Sequence, residues 1–256
     1  MTQICLESIG LGIGSYRVLA NLSFEVPRGQ FVALVGPTGC GKSSVLNLVA
    51  GLLKPSAGLV YSNGSPLDSL NRDAAYMLQH DALLPWKTVL ENIMLGPLLR
   101  GASKPEASTD AKAWIERVGL RGLDGRYPSQ LSGGQRKRVA MAQALINRLP
   151  ILLMDEAFSA LDVQTRALME NELLELWQEL GATVLFVTHD LEEAIAMADR
   201  VLLFTAGPDA TLKGDYPVRL PRPRNVAEAR FIPGFAEIYE TVWRNLREEV
   251  MATYGR

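Results

Sequence analysis

GPTGCGKS, Gly36 to Ser43, decides how the chain is read. It fits G-x-x-x-x-G-K-[ST], the pattern of a phosphate-binding P-loop. A polyphosphate carries clustered negative charge and needs many donors at close range. Glycines let the backbone turn tightly and aim its N–H groups inward, since no Cβ blocks the approach. A helix starting near Lys42 adds the positive end of its dipole, roughly half a unit charge. The candidate phosphate contacts are Gly36, Pro37, Thr38, Gly39, Cys40, Gly41, Lys42, Ser43 and Ser44. Lys42 is expected to reach the β- and γ-phosphates, and the Ser43 hydroxyl to ligate Mg²⁺. An apolar run, FVALV (Phe31 to Val35), precedes the loop and SSVLNLVAGLL follows it. Strand, loop and helix is the context the motif requires.

The chain has 256 residues, 48% hydrophobic and 21% charged, enough to bury a sizeable core. A net charge of −2 argues against a general nucleic-acid binder, which normally shows a basic excess. No run of eighteen apolar residues predicts a transmembrane helix. The start, MTQICLESIG, lacks the basic and apolar regions of a signal peptide. Two cysteines, Cys5 and Cys40, form no disulfide framework, which fits a reducing cytosol. Cys40 sits at a helix N-terminus, where a thiol pKa can fall and alkylation could block nucleotide binding. A small residue filling a loop position is the plainer reading.

Working outward, QICLESI (Gln3 to Ile9) and LSFEV (Leu22 to Val26) read as strands, with Tyr16 between them in a Gly-rich turn. An aromatic ring there could stack on an adenine. LVYSNG suggests a strand and hairpin turn, and AYMLQ a strand with Gln79 at its end. From about 80 to 145 the pattern turns helical and reads as an inserted subdomain. A helix starts at Thr88 with Val89, Ile93 and Leu95 as apolar members. GASKPEASTD reads as a polar loop. DAKAWIERVGL reads as a helix with Ala113, Trp114, Val118 and Ile115 inward. The tip Leu83, Leu84, Pro85, Trp86 suits either core or a docking surface.

LSGGQ (Leu131 to Gln135) offers a second phosphate-binding device: Ser132 as N-cap, with Gly133 and Gly134 baring N–H groups at a helix start. ILLMDE (Ile151 to Glu156) is a buried-type strand ending in two acids. Asp155 can hold Mg²⁺ through water, and Glu156 can polarise an attacking water. FSALD (Phe158 to Asp162) leads into a helix whose apolar face is marked by Leu168, Leu173 or Leu174, and Trp177. TVLFVTHD ends near His189, which can contact a γ-phosphate. RVLLF is expected to be the last core strand. Residues 205–256 form a C-terminal extension: LPRPR is extended, and Phe235, Ile238, Tyr239, Val242, Trp243, Leu246 and Val250 follow helical spacing.

Taken in order, Tyr16, GPTGCGKS, Gln79, LSGGQ, ILLMDE, SALD (Ser159 to Asp162) and His189 resemble the motifs of the ATP-binding subunit of an ABC transporter, over nearly the whole chain. Within that family the chain is similar to importers of nitrate, taurine and alkanesulfonates. ALLPWKTVLENI, TVLFVTHDLEEAI and LPRPR carry that likeness. It departs at Ala157, where proline is usual, a feature shared with glycine-betaine importers.

The resemblance implies an α/β P-loop NTPase core with a RecA-like sheet, helices on both faces, an antiparallel β subdomain and an inserted α-helical subdomain, all in one domain, 1–256. It implies ATP and Mg²⁺ as ligands, with Lys42, Gln79, Glu156 and His189 catalytic. Ser43, Gln79 and Asp155 are the metal candidates. Tyr16 would be an A-loop aromatic. Ser132, Gly133, Gly134 and Gln135 would complete the site of a second copy in an ATP-sandwiched homodimer. A membrane permease docking near Leu83 to Trp86, an extracytoplasmic solute-binding protein, no nucleic acid, and a place on the cytoplasmic face of the inner membrane complete the expectation.

Overall fold

The computed structural model describes residues 1–254. The chain opens with a long hairpin, β1 (Thr2–Ile13) and β2 (Tyr16–Pro27), then β3 (Phe31–Val35), the phosphate loop and α1 (Lys42–Val49). β4 (Ala57–Ser62) and β5 (Ser65–Pro66) form a second hairpin through Asn63 and Gly64, both at positive φ (52° and 75°). That is the conformation a two-residue hairpin turn demands. β6 (Ala74–Met77) leads into three helices, α2 (Val89–Leu99), α3 (Lys104–Arg117) and α4 (Gly133–Leu145). The core resumes with β7 (Ile151–Asp155), α5 (Val163–Leu180), β8 (Thr183–Val187), α6 (Leu191–Met197) and β9 (Arg200–Phe204). β10 (Leu212–Pro217) and α7 (Phe235–Tyr254) end the described chain.

Two sheets result. One is antiparallel, in the order β2-β1-β4-β5, and the other has the order β10-β9-β3-β8-β7-β6. In the second, β9-β3-β8-β7-β6 are mutually parallel and β10 is antiparallel to β9. β3 and β8 are buried at every residue, so they read as unbroken apolar runs without alternation. One core lies between the parallel sheet and the helices. There the Phe31 ring meets Trp177 and Phe186 edge-on, at centroid distances of 5.4 and 6.0 Å. A second core lies between the two sheets and α1.

Several expectations are corrected. The polar stretch GASKPEASTD is mostly helix: α3 starts at Lys104, with Ser103 as N-cap and a reciprocal bond from Glu106. That capping box, with Pro105 in the first turn, is a start signal masked by polar composition. Ala107, Ala111, Trp114, Ile115 and Val118 face inward, and Ala113 is exposed. On α2 the buried positions are Val89, Asn92, Ile93, Met94 and Pro97, with Leu95 only half-buried. On α5, Leu168 is exposed and Met169 is buried in its place. β9 is not the last strand; the edge strand β10 has only half-buried positions alternating with exposed ones, a weak apolar signal. Tyr16 opens β2 and does not sit in a loop.

The tail is fastened by arginines. Arg222 bonds Asp199 and the Met197 carbonyl, and its guanidinium lies 4.5 Å from the Trp177 ring centroid. Arg224 is buried and donates to the carbonyls of Ile195, Ala196 and Ala198, where α6 ends, and to those of Val218, Leu220 and Pro221. Burial lowers its pKa to about 10, and Arg222 nearby adds repulsion. α7 packs its Phe235, Val242 and Leu246 face back onto the domain.

Candidate functional site

Strand register brings the motifs together. Leu34 of β3 and Asp155 of β7 both pair with Val187 of β8, so the three strands end level. Met77 of β6 pairs with Met154, which sets Gln79 beside Glu156 at the same edge. The carboxyl edge of a parallel sheet is where such folds place ligands.

Gly41 caps α1 with φ 95°. A Cβ there would come within 2.8 Å of Val18 and 2.9 Å of Leu19, so glycine is required both by conformation and by space. The loop encloses a cavity of about 480 Å³ lined by Ile13, Tyr16, Val18, Gly36, Thr38, Gly39, Gly41, Lys42, Ser43, Ser44, Glu156, Val187 and His189. Pro37, Cys40, Gln79 and Asp155 are not among its lining residues. Lys42 folds onto the loop itself, donating to the carbonyls of Gly36 (2.8 Å) and Pro37 (2.9 Å). Cys40 is fully buried, and burial pushes its thiol pKa up, with Lys42 only partly opposing. Cys40 thus fits the plainer reading of a small residue filling the loop, and its thiol is not lowered by the helix start.

Ser43 Oγ donates to Asp155 Oδ1 at 2.9 Å. Burial pushes the Asp155 carboxyl above its usual range; the Ser43 bond pulls it back, Glu156 adds repulsion and Lys42 attraction. A hydroxyl and a carboxylate oxygen side by side are hard donors, the kind Mg²⁺ prefers. Glu156 adopts a left-handed φ of 45°, which turns its carboxylate out of the strand line. Its Oε2 accepts from Gln79 Nε2 (3.1 Å) and lies 3.5 Å from His189 Nδ1. A carboxylate held between an amide and an imidazole at the pocket wall can accept a proton from water. Tyr16 is half exposed in the cavity lining, with its hydroxyl beside Gly207.

Ser132, Gly133, Gly134 and Gln135 are not on this cavity. Ser132 caps α4 in a capping box with Gln135, with Ser132 and Gly133 exposed to solvent. The phosphate loop and the LSGGQ segment are thus separate within one chain. Sequence reasoning missed what links them. Just after LSGGQ, Lys137 Nζ donates to the Gln79 carbonyl (2.7 Å), and Arg136 and Lys137 both pair with Asp81. It also missed Asn92. Buried on α2, Asn92 bonds the backbone of Leu84, Lys87 and Thr88 and shapes the tip. A polar residue inside an apolar helical run was the available signal. The tip itself divides: Leu83 is buried and Trp86 is 71% exposed.

The model of the family described as "ABC transporter" matches residues 19–159. The Escherichia coli (strain K12) aliphatic sulfonates import ATP-binding protein SsuB is 43% identical over 248 residues, 97% of this chain and 94% of that protein. An uncharacterized ABC transporter ATP-binding protein, MJ0412 of Methanocaldococcus jannaschii, is 40% identical over 235 residues, 92% of this chain and 86% of that protein. Among solved structures, a dimeric post-hydrolysis state of the ATP-binding cassette MJ0796 bound to ADP and Pi superposes with a TM-score of 0.74. It is 32% identical and covers 84% of this chain and 99% of that one.

Proposed function

Because this chain belongs to the ABC transporter family, we propose that it is the ATP-hydrolysing subunit of an importer for a small solute of the sulfonate, taurine or nitrate kind. The observation that carries the hydrolytic reading is Glu156 and His189 together on the phosphate-loop cavity, with Gln79 donating to the Glu156 carboxylate. Lys42 leaves its two loop carbonyls to meet the β- and γ-phosphates, and loop N–H groups hold the remaining oxygens. Tyr16 offers its ring to the adenine. Glu156 orients a water and takes its proton, while Gln79 and His189 fix the carboxylate and face the γ-phosphate.

Ser43 and Asp155, with Gln79, are the residues that would hold Mg²⁺. The ion would neutralise phosphate charge. The exposed Ser132 and Gly133, which do not line this chain's own cavity, suit the phosphates bound to a second copy. Each site in a homodimer is then completed by its neighbour, as in an ATP sandwich. The dimeric state of the MJ0796 cassette supports this reading. Trp86 and its neighbours suit contact with a membrane permease, which would be served by an extracytoplasmic solute-binding protein. No described helix is long and apolar enough to cross a membrane, so a peripheral place on the cytoplasmic face follows from the permease contact.

The test is growth of the source organism carrying Lys42→Ala on single sulfur or nitrogen sources: alkanesulfonates, taurine, nitrate, with sulfate and ammonium as controls. A defect confined to one solute, rescued by the wild-type chain, is expected. Growth on every source, with ATPase lost in vitro, would overturn the import assignment.

A further inference from the structure

Beside the phosphate-loop cavity, the tail helix α7 reaches the stretch of chain that backs Tyr16. Residues 205–210 run between β9 and β10. Their neck is closed by Thr211, whose N–H donates to Thr205 Oγ1 and whose carbonyl accepts from the Thr205 N–H, both at 2.9 Å. Their far end is stitched to the start of β2. The Asp209 and Ala210 N–H groups donate to the carbonyls of Arg17 and Val18, and the Ala20 N–H donates to the Ala210 carbonyl, each at 3.0 Å. Arg17 Nε lies 2.6 Å from Asp209 Oδ1. Gly207 stands between these fastenings and against Tyr16. A Cβ on Gly207 would lie 2.9 Å from the Tyr16 hydroxyl and 3.7 Å from the Gly39 carbonyl of the phosphate loop.

A third fastening comes from α7. Glu249 Oε2 accepts from the N–H of Ala206, the residue before Gly207, at 2.8 Å. The Glu249 side chain is 13% exposed, and a carboxylate so enclosed needs a countercharge. Lys213 of β10 supplies it, with Nζ 2.9 Å from Glu249 Oε1. Lys213 also pairs with Glu248 at 3.2 Å, so it keeps a partner when Glu249 is made neutral.

We propose that Glu249 is a positioning residue of the nucleotide site: through Ala206 and Gly207 it fixes the backing against which Tyr16 sets its ring for the base. This role rests on the reading of the cavity as a nucleotide site with Tyr16 as its adenine platform. It separates the two ends of the ligand. The phosphates are held by Lys42 and the loop N–H groups, which Glu249 does not contact. The base end depends on a half-exposed ring. A ring that must be ordered on binding costs affinity, and a backing fixed beforehand lowers that cost.

The test is calorimetric titration of the full-length chain with ADP and, separately, with tripolyphosphate, which carries phosphates without a base. Steady-state kcat and KM for ATP are measured beside it. Glu249→Met keeps the size of the side chain and removes the acceptor. It is expected to weaken ADP binding at least about fivefold and to leave tripolyphosphate within about twofold. KM for ATP should rise with the Kd for ADP while kcat stays within about twofold. Glu249→Gln keeps an oxygen for the Ala206 N–H and should bind ADP within about twofold of the wild type. In Tyr16→Ala, which already lacks the ring, Glu249→Met should cost nothing further.

Unchanged ADP binding in Glu249→Met, or an equal loss of ADP and tripolyphosphate, would overturn the positioning role while the nucleotide site stands. So would a Glu249→Gln as weak as the methionine variant, or an undiminished loss in the Tyr16→Ala background. A wild-type chain that binds neither ligand would sink the nucleotide site itself, and this role with it. If Glu249→Met does not fold, Glu249→Ala, which admits water in place of the side chain, is judged by the same criteria.

Discussion

Replacing Glu156 by glutamine separates nucleotide binding from chemistry. The side chain keeps its size, and the left-handed φ of 45° is no harder for glutamine than for glutamate. Its amide oxygen still accepts from Gln79, now 3.1 Å away. Lys42, Ser43 and the loop amides are untouched, so ATP binding should persist. What disappears is the basic oxygen that takes a proton from water, an effect of about 10²–10⁴ in rate. That corresponds to roughly 2.7–5.5 kcal/mol on the barrier. A second consequence is electrostatic. Glu156 is one of the causes holding the Asp155 carboxyl high, so its removal should let Asp155 ionise at lower pH and extend Mg²⁺-dependent binding toward acid. The assay is steady-state ATPase beside light scattering at saturating Mg-ATP. Expected are a hydrolysis loss of at least about a hundredfold, an accumulated dimer, and nucleotide binding retained at lower pH than in the wild type. Hydrolysis within about threefold of wild type would refute the role of Glu156. A monomer at saturating nucleotide would refute the two-copy site.

Three further predictions follow from burial. Trp86→Ala, at a 71% exposed position, should cost less than about 1 kcal/mol of folding stability and leave ATPase within about twofold. Transport with the permease in vesicles should fall at least about tenfold; a parallel loss of stability and ATPase would make Trp86 a core residue. Iodoacetamide at neutral pH should leave Cys40 unmodified in the folded chain and label it on unfolding, because the thiol is buried and its pKa is raised. Peptide mass spectrometry checks this, and Cys40 labelling as fast as the half-buried Cys5 would show that the phosphate loop opens. Arg224→Met should destabilise by about 3–5 kcal/mol, since it strands buried carbonyls. Arg224→Lys should not rescue, because an ammonium has three donors against the five of the guanidinium fork. Thermal unfolding measures both; a loss below about 1 kcal/mol would mean the tail is held elsewhere.

The sequence by itself determined the strand–loop–helix frame and the family motifs set along it. Those depend on local rules: GPTGCGKS needs its glycines for backbone turns, FVALV and TVLFV read as buried strands because both faces are covered, and Ser132 caps α4 through a four-residue pattern. Where the local signal was weak, the reading slipped. α3 buries small alanines on its first turns, so its start looked like a polar loop. β10 alternates only between half-buried and exposed.

The tertiary structure alone decided which distant residues meet. The pairing of Ser43 with Asp155 and of Glu156 with Gln79 and His189 is a product of strand register across β3, β8, β7 and β6. The grip of Lys137 on the Gln79 carbonyl and the Arg224 lock join segments tens of residues apart. Hydrophobic periodicity tells which side of an element is inward. It carries no information on which polar group waits opposite, because that partner is chosen by the packing of whole elements and not by neighbours along the chain.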